Sequence, residues 1–159
     1  MEEIANKPII FNSDIKASNN MWLLPLYNAN ESKIQQTCKR FFDNFANSVQ
    51  IQNKKKLLEF VHIDNGSKSG IRHKIKKKAE GTRAGFPDVM IIASKPDYSQ
   101  RMVMFLEFKR IGTPSMIKIK DNQEEYKNWL STIGFQSYIL NNPVYFEKQI
   151  LAIIQKFIN

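Results

Sequence analysis

Two apolar runs that end in charge constrain this chain more than any other feature. The first, Val89-Met90-Ile91-Ile92, follows directly on Gly85-Phe86-Pro87-Asp88. The second, Met102-Val103-Met104-Phe105-Leu106, comes after the polar turn Lys95-Pro96-Asp97-Tyr98 and runs into Glu107-Phe108-Lys109. Apolar runs this short, bounded by turn residues, read as strands over 87–93 and 101–110, the second covered on both faces. Residues two apart on a strand share a face, so Glu107 and Lys109 point together while Phe108 enters the opposite layer. If the two strands are neighbours, Asp88 and Glu107 meet at one rim of the sheet.

The rest of the chain supplies elements around that pair. Residues 1–27 read as an extension: Pro8-Ile9-Ile10-Phe11 and Met21-Trp22-Leu23-Leu24-Pro25-Leu26-Tyr27 are apolar but short and broken by proline. They suit either a strap across the core or a dimer contact. Residues 28–159 read as one domain. Ile34, Cys38, Phe41, Phe42 and Phe45 follow helical spacing over 29–47, with Asn28 as cap and Glu31 completing a box. Cys38 lies on this apolar face, as a core residue rather than a nucleophile. A strand at 57–63 closes on the turn pair Asn65-Gly66, and residues 67–84 form a glycine-punctuated basic loop. Asp121 caps the next helix, with Tyr126, Trp129, Leu130 and Ile133 as its buried stripe and Gly134 as its left-handed end. A strand at 135–140 follows. Asn142-Pro143 then opens a closing helix with Phe146, Ile150, Ile153, Ile154 and Phe157 inward. The order is α-β-β-β-α-β-α, with the basic loop after the first strand.

Charge decides what such a rim faces. The formal net charge is +9 and the pI near 9.6, which favours a polyanionic partner. Lys68, Arg72, Lys74, Lys76, Lys77, Lys78 and Arg83 crowd the segment just before Gly85, as candidate phosphate contacts. No apolar run reaches the roughly 18–20 residues that cross a bilayer. Met1-Glu2-Glu3-Ile4 lacks a secretory layout, and Cys38 is the only cysteine. The expectation is a cytoplasmic protein, or one at a nucleoid or viral replication site, not secreted, with no membrane and no small-molecule substrate as partner.

Asp88 and Glu107 offer hard oxygen ligands of the kind that suit Mg²⁺ or Mn²⁺, with water and phosphate completing the shell. Such an ion neutralises phosphoryl oxygens and acidifies an attacking water, and Lys109 would hold or polarise that water. Gln123, in the first turn of its helix, would place a neutral amide at the strand ends; the alternative is a surface residue beside the cap. Glu31 is either a further acid of the site or only a capping residue, and Gln35 shares its face. His62 and His73 are the only histidines and form no ligand pair, which leaves zinc, serine and cysteine hydrolases without support.

Taken together, His62-Ile63-Asp64-Asn65-Gly66, Gly85-Phe86-Pro87-Asp88, Glu107-Phe108-Lys109 and the helix-borne Gln123 resemble the PD-(D/E)XK nuclease superfamily. The resemblance is greatest to its virus-type replication-repair nuclease branch (VRR-NUC), and it covers about residues 28–157. It implies an α/β restriction-endonuclease-like PD-(D/E)XK fold, a central four-stranded mixed sheet flanked by helices. It also implies a Mg²⁺/Mn²⁺-dependent endonuclease that hydrolyses phosphodiester bonds. Asp88, Glu107 and the Phe108 backbone carbonyl would hold the metal; Lys109 would be catalytic, Gln123 auxiliary and Glu31 the first-helix acid. Small stand-alone members are similar to homodimeric Holliday-junction resolvases of recombination and DNA repair, which makes branched DNA the leading substrate. A sequence-specific or flap-type endonuclease, or a silent nucleic-acid-binding module, are the alternatives. The chain departs from the family in its insert at 111–120 and in residues 1–27.

Overall fold

Strand β3 (Arg101–Phe108) is the one on which the sheet is assembled. The computed structural model describes residues 30–64, 76, 81–110 and 119–159. In it β3 lies between an antiparallel β2 (Val89–Ser94) and a parallel β4 (Gln136–Leu140). β1 (Leu58–His62) pairs antiparallel with the other edge of β2, so the order is β1-β2-β3-β4. Parallel pairing of β3 with β4 needs a long crossover, and α2 (Asp121–Thr132) lies within it. α1 (Glu31–Asn53) precedes β1. The chain closes with α3 (Pro143–Tyr145), a π-helical turn (Phe146–Ile150) and α4 (Leu151–Ile158) in unbroken succession. The architecture is a four-stranded mixed sheet flanked by helices, in the element order expected.

Strand alternation sorts the side chains into two layers. Register pairs Val89 with Leu106 and Ile91 with Met104, so these point to one face with Phe60 and Phe108. Ile34, Cys38 and Phe42 of α1, and Phe146, Ile150 and Ile154 of the closing helix, pack on that face as the main core. The other face carries Phe105 and Glu107. Phe86 stacks edge-on against Phe105 (5.6 Å) and Tyr126 (5.4 Å), and Phe105 against Phe135 (5.6 Å). Leu130 and Ile139 are buried beside them. No helix among the described residues is long and apolar enough to cross a membrane.

Helix starts and one helix face differ from expectation. Asn30 caps α1, its side chain accepting from the Lys33 N–H at 3.0 Å, and α1 runs on to Asn53 rather than ending near residue 47. Asn28, like residues 1–27, lies outside the described residues. α2 starts one residue early: Lys120 is its N-cap, Asp121 is already helical, and Gln123 reaches back to the cap. Within α2 only Leu130 is fully buried; Trp129 is 50% and Ile133 48% exposed. α2 packs over β4, an edge strand, and Trp129 stacks edge-on against Tyr126 at 6.3 Å. Gly134 ends the helix as expected, at φ +90°, with Phe135 N–H bonded back to the Leu130 carbonyl at 2.9 Å.

This difference in burial is measurable. Leu130→Ala should cost about 2–5 kcal/mol by urea denaturation, whereas Trp129→Ala should cost only about 1 kcal/mol. Equal losses would put Trp129 in the core.

Candidate active site

The ends of β1, β3 and β4 and the start of β2 converge on one rim. Backbone bonds extend the sheet past its last paired residues there: Ile63 N–H to the Asp88 carbonyl at 2.7 Å, and Lys109 N–H to the Leu140 carbonyl at 2.8 Å. Asp88 adds a side-chain strut, its Oδ2 accepting from the Phe108 N–H at 3.0 Å. That bond fixes one carboxylate oxygen of Asp88 against β3, on the face from which Glu107 projects.

Glu107 and Lys109 are each only 6% exposed. Lys109 Nζ donates to Glu107 Oε1 at 2.7 Å, and Gln123 Nε2 donates to the same oxygen. The other end of the Gln123 amide is also held, Oε1 accepting from the Lys120 N–H at 3.1 Å. Lysine offers no acceptor in return, so this is half a capping box. Gln123 thus links the start of α2 to the acid at the end of β3. Burial pushes the Glu107 carboxyl up to about 7, and the neighbouring Asp88 charge pushes in the same direction. The Lys109 hydrogen bond and charge oppose them, and Glu31 adds a smaller upward push.

The Gly85-Phe86-Pro87-Asp88 segment holds this arrangement in place. Gly85 has φ +88°, a region open to glycine and costly for other residues. A Cβ there would lie 2.5 Å from Asn122 Cγ and 3.0 Å from the Asn122 backbone carbon. The first turn of α2 therefore approaches as closely as it does because position 85 has no side chain. Phe86 then wedges between Phe105 and Tyr126, clamping α2 to β3 just below Gln123.

Asp88, Glu107, Lys109 and Gln123 thus come together as expected. Glu31 stands exposed at the first position of α1; Asn30 has the capping role, and the Glu31 charge is felt at Glu107. Phe108 sends its ring into the main core. Of the basic segment, Lys76 and Arg83 are described and exposed, Lys76 in helical backbone rather than the loop expected. Lys68, Arg72, Lys74, Lys77 and Lys78 lie outside the described residues, as do 111–118. Cys38 is core: burial pushes its thiol well above the ordinary range, away from a reactive thiolate. One pair was not foreseen, Gln35 Nε2 on His62 Nδ1 at 2.9 Å. No spacing signals it, because the partners are 27 residues apart. Among the described residues no three His, Cys, Asp or Glu side chains gather into a metal-binding group. Among the described residues, Asp88 and Glu107 are the carboxylates that would face a divalent ion here. No protein-family model, no curated protein and no solved structure matches the chain.

Two outcomes follow. Gly85→Ala should cost more than about 1 kcal/mol and loosen the Gln123 contact, seen as faster amide exchange in the first turn of α2. The second concerns pH. Between about 4.5 and about 7 the folded Glu107 keeps a proton that the unfolded chain has lost. Stability therefore falls as pH rises through that window. In chelator, wild type should lose up to about 3 kcal/mol relative to Glu107→Gln from the lower pH to the upper. Parallel urea curves for the two proteins at both ends of the window would show no such loss if Glu107 titrates normally.

Proposed function

We propose that this chain is a Mg²⁺- or Mn²⁺-dependent, structure-selective DNA endonuclease with a PD-(D/E)XK fold of the VRR-NUC type. On this reading it works as a homodimer on junction DNA. The observation that carries the reading is the meeting of Asp88, Glu107 and Lys109 on one rim, with Gln123 bonded to the buried acid. Each side chain has a reason to be held. Asp88 is fixed by the Phe108 N–H with its second oxygen left to a ligand. Glu107 has Oε1 occupied by two donors, which leaves Oε2 for the same purpose.

Two hard carboxylates suit Mg²⁺ or Mn²⁺, and the crowding of like charge at a buried acid is relieved by a cation. An ion held by Asp88 and Glu107 would supply charge neutralisation at the phosphoryl oxygens and a more acidic attacking water. Lys109 uses one N–H on Glu107 and has two more to orient that water and offset charge developing on the phosphate. Gln123 keeps Glu107 in place while Lys109 works. Exposed Lys76 and Arg83 begin the positive approach, which draws phosphates without reading bases. A four-way junction is two-fold related, so a C2 dimer would place one such rim on each of two strands.

The test is incubation of the purified protein with four-way junctions, flaps and linear duplex, with Mg²⁺, with Mn²⁺ and with chelator. Metal-dependent cleavage of the junction is expected, and Asp88→Ala or Lys109→Gln should lower its rate by at least about a hundredfold. Affinity should fall steeply with salt. A fixed cut pattern on linear duplex would instead indicate sequence-specific cleavage, and full activity in Asp88→Ala would remove the site assignment.

A further inference from the structure

We infer that His62 is a substrate contact, donating from Nε2 to a backbone phosphate beside the scissile one, and that Gln35 is the residue that positions it. The inference rests on the nuclease reading above and extends its site to the β1 side of the rim.

His62 ends β1 and pairs with Val89, the residue immediately after Asp88. The next residue, Ile63, is bonded to the Asp88 carbonyl itself. The imidazole is therefore tied to the backbone that carries Asp88, on the flank away from β3. Lys109 and Gln123 serve the β3 flank, two strand spacings or about 10 Å from β1. A group that far across the rim suits a neighbouring phosphate of a bound strand, not the one between the carboxylates.

The chemistry fits that position. His62 is exposed, and water alone would satisfy its ring. Instead Gln35, from the second turn of α1, reaches 27 residues along the chain to meet Nδ1 at 2.9 Å. Holding a glutamine side chain in one rotamer costs about 1.5–2 kcal/mol of entropy, so water is the easier partner for an exposed ring. With the amide Nε2 as donor, Nδ1 accepts, and the ring carries its proton on Nε2. His62 shares its sheet face with Val89 and Phe60, the face covered by α1 and opposite that of Glu107. Its fixed N–H therefore lies on the exposed end of β1, next to the strand start that carries Asp88, where a neighbouring phosphate oxygen would accept it as a charge-assisted hydrogen bond.

Cleavage kinetics on a four-way junction with Mn²⁺ test this, alongside thermal melts of every variant. His62→Ala should raise KM about tenfold with kcat within about threefold, the loss of one hydrogen bond to a charged acceptor. Gln35→Ala should raise KM by a smaller factor. The double variant should be no worse than His62→Ala, because Gln35 acts only through the ring. His62→Arg, which brings its own donors and needs no Gln35, should restore KM; a merely structural histidine would not be rescued. Unchanged KM in His62→Ala, with wild type cleaving, overturns the inference and leaves the nuclease reading standing. Additive losses in the double variant overturn the positioning role. Failure of His62→Arg to recover KM assigns His62 to structure and overturns the contact. A wild-type protein that cleaves no DNA removes the nuclease reading and this inference with it.

Discussion

The end of β3 holds two opposite charges almost wholly out of water. Glu107 and Lys109 are each only 6% exposed, nearly as buried as the aliphatic residues around them. Taking a carboxylate and an ammonium from water costs several kcal/mol each, and an apolar pair of the same volume is often more stable. The lysine offsets part of that cost and the Gln123 amide a further part. Asp88, tied in at the Phe108 N–H, works against them and helps to keep the Glu107 carboxyl raised. A cluster that is costly to bury, and made costlier by a second acid, is not there for stability. Groups with environments arranged to perturb them concentrate where chemistry is done.

The scaffold around this cluster is uneven. One face of the sheet rests on the large core shared with α1 and the closing helix. The opposite face, which carries Glu107, is covered by the thinner layer of α2, held through Leu130 and the ring sequence Phe135–Phe105–Phe86–Tyr126. Gln123 rides on that lighter helix. Its grip on Glu107 therefore depends on how closely the first turn of α2 can approach, and the missing side chain at Gly85 sets that distance. The Gly85-Phe86-Pro87-Asp88 run thus contributes one acid of the cluster, a ring that clamps α2, and an empty position that lets α2 come near.

Much of this was legible because strand chemistry is local. Apolar runs bounded by charge mark β2 and β3, and the two-residue period alone places Glu107 and Lys109 on one face. Helix starts were less legible, because cap signals repeat. Asn28 and Asn30 both suit a cap, as do Asp121 and Asn122, and local propensity does not choose between neighbours. Tertiary contact chooses: α2 begins where Gln123 can meet Glu107, even though this puts a lysine at the N-cap. The stripe on α2 was over-read because periodicity shows which residues share a side, not how far the sheet extends beneath them. Trp129 and Ile133 have the right spacing yet stand about half exposed. Neither the π turn at Phe146–Ile150 nor the Gln35–His62 contact leaves a trace in local pattern, and the second joins residues 27 apart in the chain.

Connectivity also gives the rim its electrostatic character. α1 leads away from the rim and β1 returns to it; α2 and β4 repeat the pattern, and β4 delivers the chain there to begin the closing helix. Three helix starts thus gather where three strands end, and each brings the partial positive charge of a helix N-terminus. With Lys109, Arg83 and Arg110 beside them, that end of the molecule favours an anion. The two carboxylates at its centre oppose one. A rim that favours anions around a pair of acids that repels them is contradictory unless a cation lies between the acids and the anion. That contradiction, more than the identity of any one residue, favours a metal-assisted reading of the site over simple anion binding.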